Sequence, residues 1–86
     1  MNNNEISLLE KLRQAIRLKH YSIRTEQAYV DWAKRYINFH NKKHPSEMGT
    51  EEITEFLSFL AIKRNVPPST QSQALNALLF LYKYVA

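Results

Sequence analysis

Residues 7–40 read SLLEKLRQAIRLKHYSIRTEQAYVDWAKRYINFH, and the spacing within this stretch decides the fold class. Leu8, Leu9, Leu12, Ala15, Ile16 and the stem of Lys19 recur at three- and four-residue intervals, with Glu10, Arg13, Gln14 and Arg17 opposite. That pattern is an amphipathic helix with a basic outer side. Ser7 and Glu10 have the spacing of a capping box and are expected to start it. Ser22 is the next candidate cap, opening a helix that runs to about His40. Its apolar arc holds Ala28, Tyr29, Trp32, Ala33, Tyr36, Ile37 and Phe39, and its outer face Arg24, Gln27, Asp31, Lys34, Arg35 and Asn38. Clean two-residue alternation, the mark of a strand, is absent.

Working outward, Pro45 stops the second helix, because a residue before proline avoids helical angles. Thr50 is expected to cap a third helix, with Glu51 and Glu52 at the positive end of its dipole and Lys63 and Arg64 in its last turn. Ile53, Phe56, Leu57, Leu60 and Ala61 form its stripe. Pro67 and Pro68 break the chain again, and Pro68 suits the first position of a fourth helix. There Ala74, Leu75, Ala77, Leu78, Leu81, Tyr82 and Val85 face inward, and Ser72, Gln73, Asn76 and Lys83 face out with Phe80 and Tyr84 beside them. Helices over about 8–19, 23–40, 51–64 and 68–85, joined by short connections, make a compact all-α four-helix bundle.

The 86 residues, 44% apolar and 23% charged, suit one soluble globular domain. With no cysteine, disulfides, thiolate zinc sites and thiol nucleophiles are excluded. No run approaches the roughly 18 apolar residues of a membrane span. The start, Met-Asn-Asn-Asn-Glu, has no signal-peptide pattern, and a cytoplasmic location is expected. The net charge is +4. From Lys11 to Thr25 there are Lys11, Arg13, Arg17, Lys19, Arg24 and His20 but no acid, and no carboxylate follows Glu55. Two segments free of negative charge are able to lie against a polyanion.

A phosphate-cradling loop is excluded by the single glycine. His40 and His44 stand four apart, but Pro45 takes His44 out of helical geometry, so no metal site is expected. No spacing of Ser, His and Asp suggests an activated nucleophile, and the tyrosines mostly fall at packing positions. No cofactor and no catalysis are expected of this chain by itself.

The run from Leu12 to Trp32, and above all the string His20-Tyr21-Ser22-x-Arg24-Thr25-Glu26-x-Ala28-Tyr29, resembles the N-terminal domain of tyrosine recombinases, integron integrases in particular. His44-Pro45, Met48-Gly49, the stretch Phe56 to Ala61, and Ser69-Thr70-Gln71 through Tyr82 follow in the same order. The resemblance implies a core-binding domain of SAM-like fold, one jaw of a clamp on recombination-site DNA. The other jaw is a catalytic domain, expected to be absent here. Partners are then double-stranded DNA, that catalytic domain and other protomers, with the isolated domain a monomer.

Carried over, the phosphate candidates are Lys19, His20, Tyr21, Ser22, Arg24 and Thr25. The groove-facing candidates are Gln27, Lys34 and Arg35 on the second helix, and Gln71, Gln73, Asn76 and Lys83 on the fourth. At Pro67 the sequence departs from the family, which commonly has a serine there. Each candidate has a structural competitor. Capping explains one of the hydroxyls of Ser22 and Thr25 but not the neighbouring Arg24. Asp31 can pair with Arg35. Gln73 and Asn76 have the amides that read adenine edges, yet a helix exposes polar residues in any case. Phe80 and Tyr84 form an apolar pair expected to meet a partner protein. A helical protein-interaction module without DNA binding is the alternative class.

Overall fold

The computed structural model describes residues 3–85. Four helices run in order, α1 (Asn3–Leu18), α2 (Ile23–Phe39), α3 (Thr50–Ile62) and α4 (Pro68–Tyr84), with a single 3₁₀ turn at Pro45–Glu47 before α3. No strand occurs among the described residues. The fold class is as expected. The elements differ from expectation at their ends. Ser7 lies one turn inside α1 and does not cap it, and Glu10 pairs forward with Arg13 at 3.2 Å instead of reaching back. Thr50 is the first residue of α3; the cap position is Gly49, whose N–H is taken by Glu52 Oε1 at 2.6 Å. Lys63 is the residue that closes α3 and Arg64 lies beyond it, so neither sits in the last turn.

α2 and α4 form the central pair, with α1 packed against one side and α3 against the other. Leu8, Leu9, Leu12 and Ile16 of α1 meet Val30, Ala33 and Ile37 of α2 and Phe80 and Leu81 of α4. Trp32 and Tyr36 meet Met48, Phe56 and Leu60, and Ala74, Ala77 and Leu78 of α4. The small residues Ala33, Ala74 and Ala77, all fully buried, let α2 and α4 approach closely. Burial at roughly 25 cal/mol per Å² of apolar surface makes these two clusters the main source of stability.

The turns show how a chain with one glycine closes its helices. After α1, Tyr21 N–H donates to Ile16 O at 3.3 Å and His20 N–H to Arg17 O at 2.9 Å. After α2, Lys42 N–H donates to Ile37 O at 2.8 Å and Asn41 N–H to Asn38 O at 3.1 Å. Both closures place a residue in the left-handed region, where glycine is usual. Here His20 (φ 59°), Asn41 (φ 57°), Lys42 (φ 62°) and, before α4, Asn65 (φ 51°) occupy it. The α1–α2 turn thereby holds Lys19, His20 and Tyr21 in a tight, hydrogen-bonded arc.

Candidate nucleic-acid interface

The start of α2 is built around Ser22. Its Oγ accepts the N–H of Thr25 at 3.1 Å and donates its own proton to Thr25 Oγ1 at 3.1 Å. Ser22 is therefore committed to the helix end, and the hydroxyl left with a proton to give outward is that of Thr25. Arg24 between them is exposed and makes no salt bridge among the described residues. Lys19, His20 and Tyr21 are also exposed. Unpaired helix N–H groups, a free guanidinium and a donor hydroxyl at one helix start suit an anionic oxygen.

The turn is anchored from beneath. Tyr21 packs edge-on to Tyr29, with ring centroids 6.3 Å apart, and Phe80 lies 5.8 Å from Tyr21 and 5.6 Å from Tyr29. This corrects the expectation for Phe80, which is 7% exposed and belongs to the core. Only Tyr84 of that pair reaches the surface. Gln73 and Asn76, seven and four residues before Phe80, fall on the same side of α4. Both are exposed, and no acid occurs on that helix.

The remaining candidates do not all join this surface. Gln27 and Lys34 line a recess of about 190 Å³ with Arg13, Val30, Asp31 and the edge of Glu26, on the α1 side of α2. Arg35 points toward α3, where it and Arg64 border a recess of about 490 Å³ floored by Phe39, Phe56, Phe59 and Leu60. It also pairs with Asp31 at 3.1 Å and stacks over Trp32 at 5.1 Å from the ring centroid, so its charge is partly engaged. Gln71 is half-buried and donates its amide to Val66 O at 3.0 Å, which ties the loop before α4 to that helix. That bond occupies one of the donors expected to face a groove.

Arg17 and Glu26 were not distinguished by sequence. Glu26 is 7% exposed and receives Arg17 Nε at 2.8 Å and Nη2 at 3.2 Å. The hydrogen bond from Arg17 holds the Glu26 carboxyl below its ordinary range, against the opposing effect of burial. A signal existed: Glu26 precedes Val30, Ala33 and Ile37 at helical intervals, so a carboxylate stands on the buried stripe and requires a partner. His40 and His44 are likewise accounted for by structure. His40 Nε2 lies 2.9 Å from Glu52 O, and His44 Nδ1 accepts Ser46 N–H at 3.1 Å. No cluster of three or more metal-ligating residues occurs among the described residues, and none of their helices is long and apolar enough to cross a membrane.

The fold and this surface define a small all-α domain of SAM-like type, with a basic turn before α2, whose first-turn acid Glu26 is buried against Arg17, and an α4 free of acids. Residues 8–86 match the phage integrase N-terminal SAM-like domain, and the chain belongs to that family. Two relatives, each an "Integrase/recombinase", one from Escherichia coli and one from Pseudomonas aeruginosa, are 52% identical to it over 77 residues. The match covers 90% of this chain and 23% of each relative.

Proposed function

We propose that this chain is the DNA-binding domain of a site-specific tyrosine recombinase of the integron-integrase type. It acts as one jaw of a clamp on recombination-site DNA during integration or excision of mobile DNA, in the cytoplasm. Catalysis belongs to a second domain, as the far greater length of the relatives suggests, and other protomers complete the assembly. The observation that carries this reading is the start of α2. There Arg24, with no salt bridge among the described residues, and the donor hydroxyl of Thr25 follow directly on the exposed turn Lys19–Tyr21, and the sequence has no carboxylate from Lys11 to Thr25. Gln73 and Asn76 supply limited base reading from α4, while backbone contacts carry most of the affinity.

A double change of Arg24→Ala and Thr25→Ala tests it. Affinity for any duplex then falls roughly tenfold or more, with the helical signal unchanged, since phosphate contacts are blind to sequence. Unaltered duplex affinity contradicts the reading. Absence of any duplex binding by the unaltered chain would favour instead the protein-interaction alternative, with Tyr84, the exposed member of the Phe80–Tyr84 pair, at its contact.

A further inference from the structure

Tyr84 sits in the last turn of α4, four residues after Phe80, with the two ring centroids 4.6 Å apart. Phe80 is itself wedged between Tyr21 and Tyr29. The Tyr84 ring therefore rests on a fixed support while 42% of the residue stays exposed. Two ammonium groups from different elements converge on it. Lys19 Nζ, just beyond α1, lies 4.6 Å from the ring centroid, and Lys83 Nζ on α4 lies 5.3 Å from it. Neither lysine has a salt-bridge partner among the described residues.

Two like charges gathered on one exposed ring repel each other, and the attraction of each to the ring face is weak where water competes. An anion between them removes the repulsion and gains charge-assisted hydrogen bonds. The surroundings agree: a hydrogen bond from Lys19, reinforced by Lys83, lowers the Tyr84 phenol from its ordinary value.

The geometry points to a single phosphate site in which Lys19, Lys83 and the Tyr84 hydroxyl together hold one phosphodiester of a DNA backbone. A diester offers one charge and two free oxygens, which three donors on two elements are able to share. The site rests on the DNA-binding reading above and refines it. It fixes the seam between the ends of α1 and α4 to the backbone, and makes Tyr84 a nucleic-acid ligand rather than a protein contact.

Salt dependence counts phosphates and so separates this site from two independent surface lysines. Binding of the 86-residue chain to a labelled duplex is followed against salt concentration for the unaltered protein, the double variant Lys19→Gln with Lys83→Gln, and Tyr84→Phe. If both lysines share one phosphate, the double variant loses about 0.9 from the slope of log K against log salt. A loss near 1.8 means two separate phosphates and overturns the site, as does no change. Tyr84→Phe keeps the ring on Phe80 and is expected to weaken binding about three- to tenfold at constant slope; undiminished affinity overturns the hydroxyl's part. If the unaltered chain shows no duplex binding at low salt, the DNA-binding reading fails and takes this site with it. If it binds and only the variants behave as the unaltered chain does, the site alone fails.

Discussion

Arg17 on α1 grips Glu26 on α2 through paired hydrogen bonds, Nε to Oε1 at 2.8 Å and Nη2 to Oε2 at 3.2 Å. The carboxylate is almost out of solvent while the guanidinium is mostly in it. This bond ties together the two helices that flank the Lys19–Ser22 turn. A buried carboxylate that loses its partner is costly, because desolvation is then uncompensated.

Replacing Arg17 with Met is therefore expected to lower the melting temperature at pH 7. The pH dependence identifies the cause. Arg17 depresses the Glu26 pKa below 4.5, so its contribution is complete above that value and is lost as pH falls through the depressed one. In the variant, burial, which favours the protonated acid, is opposed only by the weaker charge effect of Arg13. The gap in melting temperature between the two proteins should narrow as pH drops from 7 to 3; a constant gap would mean that Glu26 is not responsible.

Tyr36 is fully buried, its hydroxyl lies 3.0 Å from that of Tyr82, and Tyr82 in turn donates to Pro45 O at 2.9 Å. Since Tyr82 gives its proton to the carbonyl, Tyr36 donates to Tyr82. Tyr82→Phe then strands a buried hydroxyl and is expected to cost about 1–3 kcal/mol. Tyr36→Phe leaves the Tyr82–Pro45 bond in place and costs nearer 0.5–1.5 kcal/mol. Urea denaturation of both variants gives the order, and equal or inverted losses would contradict this direction of donation.

Burial raises the pKa of Tyr36 and of Tyr82, with their mutual hydrogen bond adding to the effect at Tyr36. A raised pKa gives stability that is complete below the ordinary value of 10.0 and declines above it, as the unfolded chain ionises first. Thermal melts should be level with respect to these groups up to about pH 10 and fall beyond. Tyr36→Phe should flatten that alkaline decline.

Lys42 holds φ at 62° at the end of α2, a conformation that costs a residue with a Cβ about 1–2 kcal/mol. Lys42→Gly is expected to raise stability by about 0.5–1 kcal/mol, the gain being reduced by the greater freedom of unfolded glycine. The same change at exposed Lys34, inside α2, should lower it by about 1 kcal/mol. Denaturant midpoints for the two variants check both signs.

Most of the fold is legible in the residues themselves. Trp32 and Tyr36 are core because they share the stripe of Tyr29 and Ala33, and Ser22 and Pro68 open α2 and α4 where expected, whereas α2 is closed by left-handed Asn41 and Lys42 ahead of Pro45, which begins the 3₁₀ turn. Ser7 misleads because a Ser-x-x-Glu spacing arises inside helices too, and only the backbone says whether an amide is free to be capped. Phe80 misleads for another reason. α4 carries Leu75, Leu78, Leu79, Phe80, Leu81 and Tyr82, so apolar residues surround much of it and spacing alone cannot say which is covered. The α1–α2 turn decides that, by laying Tyr21 over Phe80. For the same reason the meeting of Lys19 with Tyr84 is invisible in sequence: 65 positions apart, they are neighbours only after α1 and α4 dock.

Gln73 and Asn76 test base reading separately from backbone binding. Changing both to Ala is expected to reduce discrimination between a recombination site and an unrelated duplex by about 1–3 kcal/mol, while the salt slope stays as it was. A slope that falls with them would make these amides backbone contacts instead.

On the function proposed above, this domain docks on duplex DNA through the start of α2 and the outer side of α4. A salt titration against a labelled duplex, with amide chemical shifts followed in parallel, tests it most directly. Docking there gives a steep fall of affinity with log salt, on the order of three to five phosphates neutralised, and shifts concentrated at residues 19–27 and 71–76. Absence of binding at low salt, with those amides unmoved, would contradict it.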